Sequence, residues 1–218
     1  GVEPAGLHGY KPQDVARTLN DLGLVVCASH VPFPTQDDLQ SIIETEAALG
    51  NKLVISGLWK DDLETADACR ASAQRINWAA DELKRRGLQF GIHNHWLEFY
   101  KVDGRYAYDI LMEECPGIFG ELDVYWTAYA GADPVQAVAR HKSRLRLLHI
   151  KDGTLEENAP QVAVGSGVLD MPAIISAADP NVLEWLVVEL DECATDMFEA
   201  VRDSYDYLTS AGLATGNR

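Results

Sequence analysis

The sequence predicts an α/β protein of the (β/α)8 barrel class, and three features of the chain lead to this prediction. Short apolar runs alternate with longer amphipathic runs from one end of the chain to the other. Strands that alternate with helices in this way form parallel sheets. No glycine-rich dinucleotide turn follows any of the apolar runs, which favours a barrel over a doubly wound sheet.

Seven βα units are visible in the chain, whereas a closed barrel needs eight. The chain starts with VEPAG at residues 2–6, a motif typical of the end of a strand. We therefore expect the first βα unit of the barrel to be absent from this chain. No linker and no low-complexity tract interrupts the series, so we expect a single domain over residues 1–218.

The first three visible units cover residues 1–87. Their strands are expected in apolar and β-branched runs, and their helices where apolar residues recur at helical spacing. Thr35 is placed to cap the second helix, and Gly87 ends the third. The strands are expected at 1–6, 23–31 and 52–59, and the helices at 12–23, 35–49 and 61–86.

The other four units cover residues 88–212. Pro134 stands near the first position of its helix, where the missing N–H of proline costs nothing. The run at 183–192 is the most apolar strand of the chain. The strands are expected at 88–95, 119–126, 144–152 and 183–192, and the helices at 106–115, 132–142, 171–178 and 195–212.

Polar side chains follow the apolar run of nearly every predicted strand. In a parallel barrel the active site lies at the carboxyl ends of the strands. A single polar residue there is more often a cap, but recurrence over several strands indicates a shared site. Imidazoles mixed with carboxylates suit Mn2+, Fe2+, Co2+ or Zn2+ better than Ca2+. The strand-end residues are Glu3, Ser29, His30, His93, Asn94, His95, Asp123, His149, Lys151, Asp152 and Glu189.

Other residues near the strand ends allow more than one interpretation. His93 and His95 are two apart and face the same side of a strand, so one could bind metal while the other contacts substrate. Trp126 is either a wall on which a sugar ring stacks or a packing residue. The glycines of GSG at 165–167 could form an anion cradle. We expect His141 at the surface.

The acidic composition disfavours one class of partner. The net charge of −16 repels phosphate backbones, so nucleic acid is not expected as a ligand. No apolar run approaches the ~20 residues that span a bilayer. The four cysteines show no CxxC spacing and no signal peptide is visible, so we expect a reducing, cytoplasmic location without a membrane partner.

Four segments resemble a known family: GIHNHWLEF, ELDVYWTAYAGADP, LLHIKDGT and VVELDE. They are similar to the sugar phosphate isomerase/epimerase family of the xylose isomerase-like TIM barrel superfamily, which also includes endonuclease IV. The similarity runs over essentially the whole chain. It implies a divalent metal, most often Mn2+, with Co2+, Fe2+, Mg2+ or Zn2+ as alternatives. The implied ligands are His93, Asp123, His149 and Glu189, where His93 followed by Asn94 replaces the Glu–Asn of many members.

The resemblance also implies a reaction, namely proton abstraction beside the carbonyl of a keto-sugar through an enediolate. Glu189 would be a ligand and a candidate base. Lys151 would stabilise the enolate or carry a proton, with its pKa lowered by the metal and by burial. Because His93 replaces a glutamate, the second acid/base is expected to be another group. The candidates are a histidine, for example His93, and the residues Lys151 and Glu98. The residues expected to bind substrate are Glu3, His30, His95, Glu98 and Trp126.

Three alternatives remain open from the sequence. The same site could act on a 3-keto-glycoside as a lyase, because elimination and reprotonation share the enediolate. A phosphodiesterase like endonuclease IV is disfavoured by the acidic charge. A decayed barrel could bind sugar without catalysis, and a homo-oligomer could cover its exposed strand edges. Few basic residues stand at the strand ends, so an unphosphorylated sugar is expected as the small-molecule partner.

Overall fold

The computed structural model describes residues 1–216, which fall into two compact units. The first unit comprises Gly1–His93 and Tyr100–Gly120, and the second comprises Asn94–Phe99 and the chain from Glu121 onward. Both units contain the parallel strands and intervening helices that the alternating sequence pattern predicts. Whether the whole chain behaves as a single domain stays a prediction.

The first unit contains three parallel strands in the order β1-β2-β3. Their register pairs Ser29 with Val54 and Leu53 with Gln89. An antiparallel hairpin, β4–β5, precedes the last helix of the unit. The strands are β1 (Ser29–His30), β2 (Leu53–Ser56), β3 (Gln89–His93), β4 (Lys101–Val102) and β5 (Arg105–Tyr106), and the helices are α1 (Pro12–Asp21), α2 (Leu39–Leu49), α3 (Ala66–Lys84) and α4 (Ala107–Glu114).

The second unit is built around the end of β6 and the strands β7 and β8. The strands β7 and β8 are parallel, with Leu147 opposite Trp185 and Ile150 opposite Val188. The residues of β6 are fully buried, whereas β8 is half-buried along its whole length. The strands are β6 (Phe119–Asp123), β7 (Leu145–Ile150) and β8 (Trp185–Val188), and the helices are α5 (Val124–Tyr129), α6 (Pro134–His141), α7 (Met171–Ser176) and α8 (Met197–Ser210).

The seven predicted helices are confirmed with shorter bounds, but the predicted cap at Thr35 is wrong, because α2 begins at Leu39 after Asp38. Most other corrections concern strands. The run 1–6 forms only isolated parallel bridges, at Val2 and Ala5, and the run 23–31 forms a strand only at Ser29–His30. The hairpin was missed, although the Asp103–Gly104 dipeptide in KVDGRY signals it. Both residues have positive φ, as a tight type I′ turn requires.

Two further predictions are wrong for local reasons. The run 119–126 was expected to be one strand, but the chain turns into α5 directly after Asp123, which caps that helix. His141 was expected at the surface and is instead buried at the end of α6. Among residues 1–216, no helix combines the length and the apolar character that crossing a bilayer would require.

A buried carboxylate lies within the first unit, on α2. Glu46 is almost fully buried, and its Oε2 accepts hydrogen bonds from Ser29 Oγ at 2.8 Å and Asn51 Nδ2 at 2.6 Å. Burial raises the pKa of Glu46, and these two hydrogen bonds lower it only in part. Because the folded-state pKa lies above the unfolded value, this group stabilises the fold below the unfolded pKa. That stabilisation is lost as the pH rises through the folded pKa.

We expect Glu46→Gln to raise the melting temperature by a few degrees at pH 7 and to leave it unchanged near pH 4. Glutamine is neutral at every pH, and its amide oxygen can accept the same two hydrogen bonds. The measurement is a series of thermal melts between pH 4 and pH 8. Glu44→Gln, on the exposed face of α2, is the matched control and should change nothing. An equal effect of Glu46→Gln at pH 4 and pH 7 would contradict the linkage.

Candidate metal centre

Asp123 is the last residue of β6 and is fixed on three sides within the second unit. Its Oδ1 accepts the Trp126 N–H at 2.8 Å, which caps α5. Its backbone N–H donates to Asn94 Oδ1 at 2.9 Å, and its carbonyl accepts from Thr127 Oγ1 at 2.6 Å. None of these contacts involves Oδ2. It is buried and accepts no hydrogen bond from any residue in 1–216.

His149 lies in β7 between two carboxylates. Its Nδ1 is 2.9 Å from Glu189 Oε2, and its Nε2 is 3.2 Å from Glu121 Oε2. A neutral imidazole has one N–H and can donate to only one of these carboxylates. A cation bound at Nδ1 would satisfy Glu189, while the Nε2–H would donate to Glu121. That arrangement is the carboxylate–histidine–metal triad common in metal sites.

Three of the four predicted metal ligands are therefore brought together. Asp123, His149 and Glu189 each offer one ligand atom, and these atoms all lie within 4.8 Å of one another. Burial raises the pKa of Asp123, and the Lys151 ammonium and His149 offset this effect. One imidazole and two carboxylates form a donor set that suits Mn2+, Fe2+, Co2+ or Zn2+. The residues present fit a divalent cation.

Lys151 extends from the segment after β7 and is 1% exposed. Its ammonium lies 2.7 Å from Glu189 Oε2, 2.8 Å from Asp191 Oδ2 and 3.2 Å from Asp123 Oδ2. Burial alone would lower the pKa of Lys151, but these three carboxylates raise it well above its ordinary range. Without a bound metal, the net shift of this pKa is therefore opposite in direction to the predicted one, and the part that a metal would contribute stays a prediction. Lys151 is held as a cation, because its carboxylate partners outweigh the cost of burial.

Glu189 follows β8 and differs from Asp123 in its access to water. Its side chain is 39% exposed, whereas the side chain of Asp123 is fully buried. Burial alone would raise the pKa of Glu189, but the hydrogen bond with His149 and the Lys151 ammonium lower it far below its ordinary range. Glu189 is therefore ionised at neutral pH, as both a metal ligand and a base must be.

Two carboxylates of the site were missed from the sequence. Glu121 is fully buried within β6, and the signal for it was its spacing, because residues two apart on a strand face the same side. Asp191, in the loop after β8, accepts a hydrogen bond from Lys151. Its position two residues after Glu189 carries no comparable signal, because β8 has already ended.

The backbone N–H groups of the GSG loop bind an anion, as predicted, and this anion is the carboxylate of Asp152. The Asp152 carboxylate accepts the N–H groups of Gly165 at 3.0 Å, Gly167 at 3.0 Å and Leu169 at 3.2 Å. A Cβ added at Gly167 would lie 2.0 Å from Asp152 Oδ1, so this position requires glycine. Asp152 therefore fixes the loop, and these N–H groups have no place for an external anion.

An aromatic cluster borders Lys151 in the second unit. The centroid of the Trp126 ring lies 4.8 Å from that of Trp96 and 5.3 Å from that of Tyr129. The Lys151 ammonium lies 5.6 Å from the Trp126 centroid. The Trp126 Nε1–H is buried and has no hydrogen-bond acceptor among residues 1–216. Trp126 is thus a packing residue in this cluster, and its role in binding a sugar ring stays a prediction.

The remaining predicted substrate residues divide between the two units. In the second unit, the Glu98 carboxylate is buried and accepts the His95 N–H at 2.9 Å. In the first unit, His30 Nε2 lies 3.6 Å from Glu3 Oε1, and the rings of His30 and His93 are 4.8 Å apart. The assignment of His93 to the metal, and of the others to the substrate, stays a prediction.

Comparison with known families tests the predicted fold class. The family model for the xylose isomerase-like TIM barrel matches residues 6–211. The chain belongs to the xylose isomerase-like TIM barrel family. This result confirms the predicted barrel class and the predicted superfamily. No curated protein matches the sequence of this family member.

Solved structures extend the comparison for this xylose isomerase-like barrel. A sugar phosphate isomerase/epimerase from Parabacteroides distasonis ATCC 8503 is 26% identical with a TM-score of 0.81, covering 98% of this chain and 88% of that one. A second structure, described in the same words and from the same organism, is 25% identical with a TM-score of 0.80, covering 96% and 80%. The IOLI protein with a binding zinc atom is 16% identical with a TM-score of 0.70, covering 95% and 82%.

Proposed function

We propose that this protein is a divalent-metal-dependent isomerase or epimerase of a keto-sugar. The observation that carries the proposal is the convergence of Asp123, His149 and Glu189, whose ligand atoms lie within 4.8 Å of one another. The similarity to two structures described as sugar phosphate isomerase/epimerase supports the substrate class. The zinc atom in the more distant IOLI structure supports a metal in this fold. Mn2+ is the cation we expect, with Co2+, Fe2+, Mg2+ or Zn2+ as alternatives.

Asp123, His149 and Glu189, which all belong to the second unit, would hold the cation. A bound divalent cation supplies Lewis-acid polarisation of the substrate carbonyl and a template for the neighbouring hydroxyl. The protein supplies the base for the C–H group beside this carbonyl. Glu189 is the candidate for this role because its carboxylate is ionised and, at 39% side-chain exposure, accessible from solvent, while the lowered pKa that His149 and Lys151 impose makes it a weak base.

The fate of the proton distinguishes the two reaction types. Its return to the opposite face of the same carbon inverts that centre and gives an epimer. Its return to the neighbouring carbon moves the carbonyl and gives an isomer. The second acid/base for this return stays a prediction among a histidine, Lys151 and Glu98. The Lys151 ammonium, held charged by its carboxylate partners, would act on the negative charge that develops on the substrate oxygen as a fixed positive charge, without a direct hydrogen bond to that oxygen.

We also propose that the sugar is unphosphorylated. An ammonium group has three protons, and Lys151 lies within ion-pair distance of the three carboxylates of Asp123, Glu189 and Asp191. A phosphate would therefore have to displace one of these carboxylates from Lys151. The N–H groups of the GSG loop are likewise engaged by Asp152.

We expect the Mn2+-loaded protein to exchange the proton beside the carbonyl of its keto-sugar with solvent. The measurement is deuterium incorporation from D2O across a panel of unphosphorylated keto-hexoses and keto-pentoses, followed by NMR. Glu189→Gln should lower the incorporation by about 10²-fold or more, because the amide cannot accept the proton. Wild-type protein that binds Mn2+ but exchanges no proton in any sugar would overturn the proposal. Aglycone release from a 3-keto-glycoside without exchange would replace the isomerase by a lyase.

A further inference from the structure

We propose that Gln161 is a positioning residue that fixes Asp191 as a partner of the Lys151 ammonium, so that Lys151 is shared with Asp191 and competes less with a cation for Glu189 and Asp123. The inference rests on the proposed function for its metal-dependent consequence, and on hydrogen bonds within the second unit for its structural consequence. Gln161 lies in the loop after β7, outside every strand end, and is 4% exposed.

Gln161 forms four hydrogen bonds with the segment that follows β8. Its backbone N–H donates to Glu192 O at 2.9 Å, and its carbonyl accepts the Ala194 N–H at 2.9 Å. Its side-chain Oε1 accepts the Asp191 N–H at 2.7 Å, and its Nε2 donates to Asp191 Oδ2 at 2.9 Å. The backbone pair aligns the two segments, and the side-chain pair holds both ends of Asp191.

Asp191 passes this restraint on to Lys151. Asp191 Oδ2 accepts from both Gln161 Nε2 and Lys151 Nζ, at 2.9 Å and 2.8 Å. The same ammonium lies 2.7 Å from Glu189 Oε2 and 3.2 Å from Asp123 Oδ2. Asp191, Glu189 and Asp123 are the three carboxylate partners of Lys151. When Asp191 is held in place, the position of the ammonium relative to Glu189 and Asp123, the predicted metal ligands, is also held.

The loop that carries Gln161 is itself fixed to the end of β7. The Val162 N–H donates to Asp152 O at 3.0 Å, and the Asp152 carboxylate holds the glycines of the GSG loop. Asp152 is the residue directly after Lys151, so the loop and the ammonium have the same anchor. The restraint on Asp191 therefore comes from a fixed part of the unit.

Only an amide side chain satisfies both ends of Asp191. Leucine has nearly the same shape and forms neither hydrogen bond. Glutamate keeps an acceptor for the Asp191 N–H but places a second carboxylate beside the Asp191 carboxylate. Loss of a residue that contacts a metal ligand directly typically costs 10- to 100-fold in metal affinity, and because Gln161 acts through Asp191 and Lys151, we expect a loss of about 10-fold for Gln161→Leu.

The matched control is Ser204→Ala, which loosens the same loop without contacting Asp191. Ser204 Oγ, buried on α8, accepts the Val164 N–H at 2.9 Å. The test measures Mn2+ affinity by calorimetry for wild type, Gln161→Leu, Gln161→Glu and Ser204→Ala. It also follows hydrogen exchange of the Asp191 amide by NMR. If the leucine variant does not fold, the glutamate variant decides the affinity.

Weaker Mn2+ binding in both Gln161 variants, with Ser204→Ala close to wild type, is the expected result. Unchanged affinity in the Gln161 variants, or an equal loss in Ser204→Ala, would overturn the positioning role. If the wild-type protein binds no Mn2+, the proposed function fails. The hydrogen-exchange rate of the Asp191 amide then decides the role of Gln161. Faster exchange of the Asp191 amide in Gln161→Leu alone then supports it, and unchanged exchange overturns it.

Discussion

Replacement of His149 by alanine is expected to lower Mn2+ affinity by more than about 100-fold and to abolish proton exchange in the sugar. The imidazole supplies the one nitrogen ligand of the Asp123–His149–Glu189 group, and it lies 2.9 Å from Glu189 Oε2. Removal of a ligand should cost more than the 10- to 100-fold that removal of an orienting residue costs. Calorimetric titration with Mn2+ and elemental analysis of the purified protein measure the effect.

The matched control for this prediction is His141→Ala. His141 is the other buried histidine of the second unit, and it lies at the end of α6, outside the three-residue metal group. Its loss should leave the metal content at the wild-type value, even where it lowers the melting temperature. Retention of a full equivalent of metal by His149→Ala would show that the cation binds elsewhere.

The sequence predicts the helices well because their signals are local. Threonine caps the third helix at Thr65, and Asp196 caps the last one, although each helix begins later than its apolar stripe suggests. Strand lengths are predicted less well. Apolar runs such as 23–31 extend beyond the residues that pair, since burial and pairing are separate requirements. The break after Asp123 follows from a single side-chain cap, which competes with the β-propensity of Val124–Trp126.

The metal group could be predicted in part because its members end strands. Asp123, His149 and Glu189 each close an apolar run, and parallel strands bring such residues to one edge. Glu121 and Gln161 could not be found in this way, because one lies inside a strand and the other in a loop. The direction of the Lys151 pKa shift depends on distances to three carboxylates, and no sequence pattern reports those distances.

Replacement of Lys151 by methionine should destabilise the metal-free protein by about 3 kcal/mol, because breaking a buried ion pair leaves uncompensated charge. The value lies at the low end for buried pairs, since Glu189 and Asp191 are partly exposed and water screens them. The burial of Asp123 leaves its Oδ2 with no such screening. For a chain of this size, the expected fall in melting temperature is roughly 6–12 °C.

Mn2+ should reverse much of this loss. In wild-type protein the Lys151 ammonium repels a cation at Asp123 and Glu189, and the methionine variant removes this repulsion while keeping both carboxylates. We therefore expect a larger Mn2+-induced rise in melting temperature in Lys151→Met than in wild type, together with lost proton exchange. Lys142→Met changes an exposed residue of the same unit. It should have the wild-type melting temperature both without and with Mn2+. If Lys151→Met were as stable as wild type without metal, the prediction would be wrong. The carboxylates of Asp123, Glu189 and Asp191 would then not need the Lys151 ammonium to neutralise their charge.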